Sequence, residues 1–206
     1  TCAISGTIQA VQAATNYTIV ATNSVGSSTP AVVSISAVAG VPVLSYSGAS
    51  GTTGAVGTAM SVGPTTLTTN GASITACAIK ATTTALPAGL SVNATTCVIS
   101  GTPTTVSGAT NYTLIATNSA GSSADAIVSL TVNAGVPVLS YSGATGTVGT
   151  YGSAMSVSPT ALTTNGASIT GCAVKASTTA LPAGLSVNAT TCAISGTPSV
   201  SAAATN

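Results

Sequence analysis

The side chains able to do chemistry are few, and they recur at fixed positions. Cys77 and Cys97 stand 20 residues apart, Cys172 and Cys192 repeat that spacing, and Cys2 stands alone. Such thiols can form disulfides, ligate a metal or attack as nucleophiles. The cations are Lys80 and Lys175, and Asp125 is the single carboxylate. General acid–base catalysis needs titratable groups in pairs or triads, and a lone carboxylate cannot form a glycosidase pair. Without His, no thiolate–imidazole pair can form. A zinc site would have two sulfurs per repeat and no imidazole. A calcium site needs several carboxylates, and nucleic acid needs clustered Lys and Arg. The inventory predicts a chain that is not an enzyme, holds no cofactor or metal, and binds no nucleic acid.

The elements that carry these residues are read from composition. Of 206 residues, 45% are hydrophobic but only 2% aromatic, so a core must be built from small side chains. Val, Ile and Thr favour strands, while 22 Gly and 9 Pro supply turns. An all-β protein is expected. A net charge of +1 favours association, so self-association, a glycan coat, or both are expected. The most apolar run, between Ala31 and Leu44, is broken by Ser34, Ser36, Gly40 and Pro42. It falls short of the ~20 apolar residues of a membrane span.

Internal repetition organises the chain. TCAISGT at Thr1 returns as TCVISGT at Thr96 and TCAISGT at Thr191, a period of 95 residues. VPVLSYSGA starts at Val41 and again at Val136, and TNYT at Thr15 and Thr110. A unit of this size matches one immunoglobulin-like sandwich and exceeds a solenoid repeat. AGVP, at 39–42 and 134–137, marks the joints. The expected units are residues 1–40, the C-terminal part of a repeat; 41–135, a complete repeat; and 136–206, the N-terminal part of the next. Thr1 opens in the middle of the pattern, so an excerpt of a longer array is expected. Joints this short, each with a Pro, leave little slack and predict a stiff rod. Alternation of Val128, Leu130 and Val132 with Ser129 and Thr131 predicts a half-buried strand. Tyr112 and Leu114 alternate likewise. Asn70-Gly71, Pro87-Ala88-Gly89 and Asn118 with Gly121 read as turns.

At LPAGLSVNATTCVISGTP, residues 86–103, the sequence resembles the bacterial "putative Ig" domain. That family typically reads L-P-x-G-L-S, a gap, T-G-x-I-S-G-T-P, and then a strand like YTLIATNSAGS. The resemblance implies tandem immunoglobulin-like β-sandwiches in a large secreted or surface-exposed protein, hence an extracellular or cell-surface location. Two departures stand out. Cys2, Cys97 and Cys192 replace the family's Gly before the ISGTP strand, which implies an added disulfide. The acidic residues common in such domains are nearly gone, which removes any inference of calcium. In an extracellular setting the co-repeating cysteines predict Cys77–Cys97 and Cys172–Cys192 disulfides. Each would join the strand ITACAIK or ITGCAVK to the strand TTCVISG or TTCAISG, with roughly 3 kcal/mol from loop closure. Free buried thiols and bridges between subunits are the alternatives.

Other signals are weaker. Lys80 and Lys175 occupy one repeat position; a solvated lysine is favoured over a Lys–Asn isopeptide bond, which needs a neighbouring carboxyl group. Asn16, Asn93, Asn111 and Asn188 sit in N-x-S/T sequons and are candidate glycosylation sites. O-glycans on the many Ser and Thr would also answer the missing charge. Tyr46 and Tyr141 are repeat equivalents and read as structural, whereas Tyr151 has no aromatic equivalent.

The function expected from these observations is structural: a repeat segment of an extracellular bacterial fibre or filament, or the shaft of a surface protein, associating with itself. The alternative is an adhesin or carbohydrate-binding module that gains avidity from its copies. Completion of an open unit by another chain's strands is disfavoured, because residues 191–206 duplicate what residues 1–16 would supply.

Overall fold

Val, Ile and Thr alternating with small polar residues favour one arrangement, an extended strand with one buried face. The computed structural model describes residues 2–47, 51–81, 84–144, 147–176 and 179–201, and its regular elements are all strands. Thr1 and Asn206, the outer limits of the expected first and third units, lie outside the described residues.

The first unit contains β1 (Gln12–Ile19), β2 (Thr22–Asn23), β3 (Gly26–Ser27) and β4 (Ala31–Ala37). The central unit contains β5 (Val43–Ser45), β6 (Thr52–Ala55), β7 (Met60–Val62), β8 (Thr66–Thr68) and β9 (Ala76–Ile79). It continues with β10 (Leu90–Val92), β11 (Ile99–Gly101), β12 (Ser107–Asn118), β13 (Gly121–Ser122) and β14 (Ala126–Asn133). The third contains β15 (Val138–Ser140), β16 (Met155–Val157), β17 (Ala161–Thr163), β18 (Leu185–Val187) and β19 (Ile194–Gly196).

The central unit is a two-layer sandwich. One layer runs β9-β12-β14-β6, with β13 folded onto the end of β12. The other holds β5 beside β8, and the three strands β10-β11-β7 with β11 in the middle. Pro64 follows β7 and removes a ladder donor, so the run splits: β7 pairs with β11, and β8 with β5. Pairs within these layers are antiparallel, except that β6 runs parallel to β14. This is the arrangement of an immunoglobulin-like sandwich.

The alternation seen in sequence sets the core. Tyr112, Leu114 and Ala116 of β12 and Ala126, Val128, Leu130 and Val132 of β14 face inward and are buried. Tyr46, Val62 and Ile99 meet them from the other layer. Each fully buried Leu, Ile or Val side chain contributes roughly 1.5–3 kcal/mol.

The outer units show what pairing contributes. β1 and β4 pair in the register of β12 and β14, displaced by one repeat. Tyr17 is 38% exposed where its equivalent Tyr112 is 1% exposed, because Tyr112 lies beneath a second layer. In the third unit, residues 147–150 and 171–174 are the equivalents of β6 and β9 but form no strand. In the central unit the corresponding strands, β6 and β9, pair with β14 and β12.

Candidate functional site: the disulfide turn and the joint between repeats

The motif that carries the resemblance folds into a tight crossing. Gly89 and Gly101 pass so closely that a Cβ on Gly101 would stand 2.0 Å from the Gly89 carbonyl oxygen. A Cβ on Gly89 would meet the Thr102 carbonyl oxygen at the same distance. Gly184 and Gly196 repeat the crossing. The glycines of L-P-x-G-L-S and I-S-G-T-P are thus a steric pair that lets β10 enter beside β11.

Between β10 and β11 the chain turns through Asn93 to Val98. The Asn93 side-chain Oδ1 accepts the N–H groups of Thr95 at 3.0 Å and Thr96 at 2.9 Å, an Asx turn. Asn93 N–H donates to Val98 O at 2.8 Å and Cys97 N–H to Asn93 O at 3.0 Å. Cys97 closes this turn with a φ of 56° and Cys192 matches it at 55°, both in the left-handed region. That conformation suits glycine, the residue the family has here. The sequence reading put Cys97 in a strand; it lies in the turn, because β11 begins at Ile99.

The structure joins Cys77 to Cys97 and Cys172 to Cys192, each with a Cα–Cα distance of 5.2 Å. Cys77 belongs to β9 and Cys97 to the turn before β11, so the bond ties one layer to the other. Tyr46, 1% exposed, donates its hydroxyl to the Cys97 carbonyl, and Tyr141 donates to that of Cys192. Burial pushes the Tyr46 phenol up to about 12. Cys2 is exposed and unbridged.

The joint is the second constellation. Asn70 and Gly71 have φ values of 47° and 90°, the two positive angles a type I′ turn requires. The Asn70 carbonyl accepts Gly40 N–H at 2.9 Å, and its side-chain Nδ2 donates to Val41 O at 2.7 Å. Asn118, 4% exposed, donates from Nδ2 to Gly40 O and Thr69 O, both at 2.8 Å. Two turns of the central unit thus hold the AGVP tetrapeptide. Beyond it, a Cβ on Gly71 would stand 2.4 Å from Val11 Cγ2, so the first unit seats a side chain on the glycine.

The next joint repeats this. Gly135 N–H donates to Asn165 O at 2.8 Å, and Asn165 Nδ2 to Val136 O at 2.6 Å. Val106 lies against Gly166, 2.7 Å from where a Cβ would stand. Sequence reasoning took Asn70 and Asn118 only for turn residues. The signal for more was present, since Asn70 recurs as Asn165, Asn118 matches Asn23, and Val11 recurs as Val106.

The remaining candidates are separate from these sites. Lys80 is not merely solvated: its Nζ reaches both Asp125 oxygens, at 2.9 and 2.7 Å. Strand β9 lies beside β12, and Asp125 immediately precedes β14, which brings the two groups together. The side chains are 42% and 48% exposed, so solvent screens the pair to about 0–1 kcal/mol. The four sequon asparagines are all exposed: Asn93 and Asn188 in turns, Asn16 on β1 and Asn111 on β12. Tyr151 is also exposed. Among the described residues no three His, Cys, Asp or Glu side chains gather as metal ligands, and no helix is long and apolar enough to cross a membrane.

No curated protein matches the chain. The crystal structure of the eight N-terminal Ig domains of Down Syndrome Cell Adhesion Molecule, isoform 1.30.30, is 17% identical. The match covers 93% of this chain and 24% of that one, with a TM-score of 0.34. The family model for "Putative Ig domain" matches residues 41–133 and again 137–206. With its motif glycines, layer order and two matched repeats accounted for, the chain belongs to the "Putative Ig domain" family.

Proposed function

We propose that the chain is a non-catalytic structural segment of an extracellular array, a fibre or the shaft of a bacterial surface protein. The observation that carries this reading is the joint. At two successive joints the same Asn bonds both sides of the linking peptide, and the same Val rests on the same Gly. A joint so constrained carries orientation from one repeat to the next, as a spacer or fibre requires. The disulfides fit an oxidising compartment, and the near-absence of charge favours lateral self-association. Exposed sequons and hydroxyls leave room for a glycan coat.

Electron microscopy of native material tests this. Uniform filaments, or stiff shafts with an axial period set by one repeat or two, are expected. Flexible strings of independently oriented beads would sink the proposal. The adhesive alternative makes a different prediction: an isolated repeat would bind cells or a glycan array, and tandem copies would bind more tightly.

A further inference from the structure

We propose that each complete repeat contains a shear clamp that makes the array resist tension, an inference that rests on the structural reading above. In the central repeat, β6 near the entry of the chain lies parallel to β14 near its exit. Thr52, Thr53, Gly54 and Ala55 pair with Leu130, Thr131, Val132 and Asn133. Tension along the array pulls β6 toward its start and β14 toward its end. Because the strands are parallel, these pulls slide one strand past the other. The bonds of a parallel ladder are evenly spaced and bridge the strands at a slant, so sliding loads all of them together. In an antiparallel hairpin pulled apart at its open end, they break one at a time.

Neighbouring contacts reinforce the clamp. Val56 N–H donates to Asn133 O at 2.9 Å, one residue beyond the paired stretch. A Cβ on Gly135 would stand 2.0 Å from the Val56 carbonyl oxygen, so the exit strand closes directly over that peptide. Gly135 is also the residue whose N–H the following Asn165 carbonyl accepts. Load leaving the clamp therefore enters the next repeat within two residues of Asn133. Strand β5 lies upstream of the clamp, so its pairs with β8 are loaded first.

The disulfide supplies an independent marker. Cys77–Cys97 withholds a 20-residue span from extension. At about 3.5 Å per extended residue, reducing the bond lengthens each rupture of the central repeat by about 65 Å.

The test is single-molecule extension of the 206-residue chain. Forced rupture reports the unfolding barrier. Handles at the two chain ends are compared with handles at Gly51 and Ser129, which precede the first pair, Thr52 with Leu130, and so peel the two strands from their common end. The expected result is a rupture force several-fold higher from the ends, with the 65 Å increment appearing on reduction. Val56→Pro, which deletes the donor to Asn133, lowers the end-to-end force and leaves the peeling force nearly unchanged. Equal forces in the two geometries would overturn the clamp. A weak repeat in a protein that still forms straight filaments would reject the clamp alone and leave the structural reading standing.

Discussion

The Tyr46 hydroxyl donates to the carbonyl of Cys97, the residue that also anchors one end of the disulfide. The turn is thereby held twice, by a covalent bond from β9 and by a phenol from beyond β5. Both supports are spread along the sequence, since Tyr46 lies 51 residues before Cys97.

That phenol makes stability depend on alkaline pH. Its folded pKa, about 12, lies above the ordinary value of 10.0. The stabilisation is therefore complete below pH 10 and is lost as pH rises toward 12, about 2 kcal/mol over the window. Denaturant titrations between pH 9 and 12 would show the fall. Tyr46→Phe should lower stability at neutral pH by about 1–3 kcal/mol and flatten the alkaline loss. A variant with the wild-type pH profile would show that Tyr46 is not its source.

The left-handed backbone at Cys97 separates the cost of the turn from the benefit of the bond. Replacing Cys77 and Cys97 both by Ala should cost roughly 3 kcal/mol from the lost loop closure. Cys77→Ala with Cys97→Gly should recover about 1 kcal/mol of that, because Gly adopts the φ of 56° without strain. Equal melting temperatures for the two double variants would contradict this reading of the turn.

At the joint, Asn70→Gly keeps a residue suited to the positive φ while deleting the side-chain bond to Val41 O. Melting should shift by less than about 1 kcal/mol. The distribution of inter-repeat angles, followed by small-angle scattering or residual dipolar couplings, should broaden. An unchanged distribution would mean that the side-chain bond to Val41 O does not set the joint, leaving the Gly40–Asn70 backbone bond, the Asn118 bonds and the Gly71–Val11 contact to hold it.

Asp125→Asn should change stability by no more than about 1 kcal/mol, and adding salt should reduce the wild-type advantage. The pair is exposed on both sides, so thermal melts at low and high salt suffice. A larger, salt-independent loss would point to a packing role for the aspartate.

Much of the architecture was legible because the period is two throughout the long strands. Alternation at Tyr112, Leu114, Val128 and Leu130 marked two half-buried strands and their inward faces, while their pairing with each other is visible only in the structure. The 20-residue cysteine spacing, constant from copy to copy, pointed to the pairs that the structure joins. Backbone conformation was harder to read. Nothing in TTCVISG distinguishes a cysteine in a strand from one at φ 56°, because propensity averages over conformations a single residue must choose between. The same limit hid the joint. Asn70 reads as a turn residue, and only three-dimensional placement shows that it holds the peptide entering its own repeat. The Lys80–Asp125 pair spans 45 residues, a separation at which local pattern carries no information.

The repeated joint also bears on how such a gene can change in length. The Val–Gly contact and the Asn-Gly turn of a joint, from Val11 or Val106 upstream to Asn70-Gly71 or Asn165-Gly166 downstream, recur in step with the 95-residue period. Unequal recombination between copies, in multiples of that period, therefore creates no mismatched seam. In the proposed array, a change of copy number would alter reach while preserving the contacts that recur at the two joints.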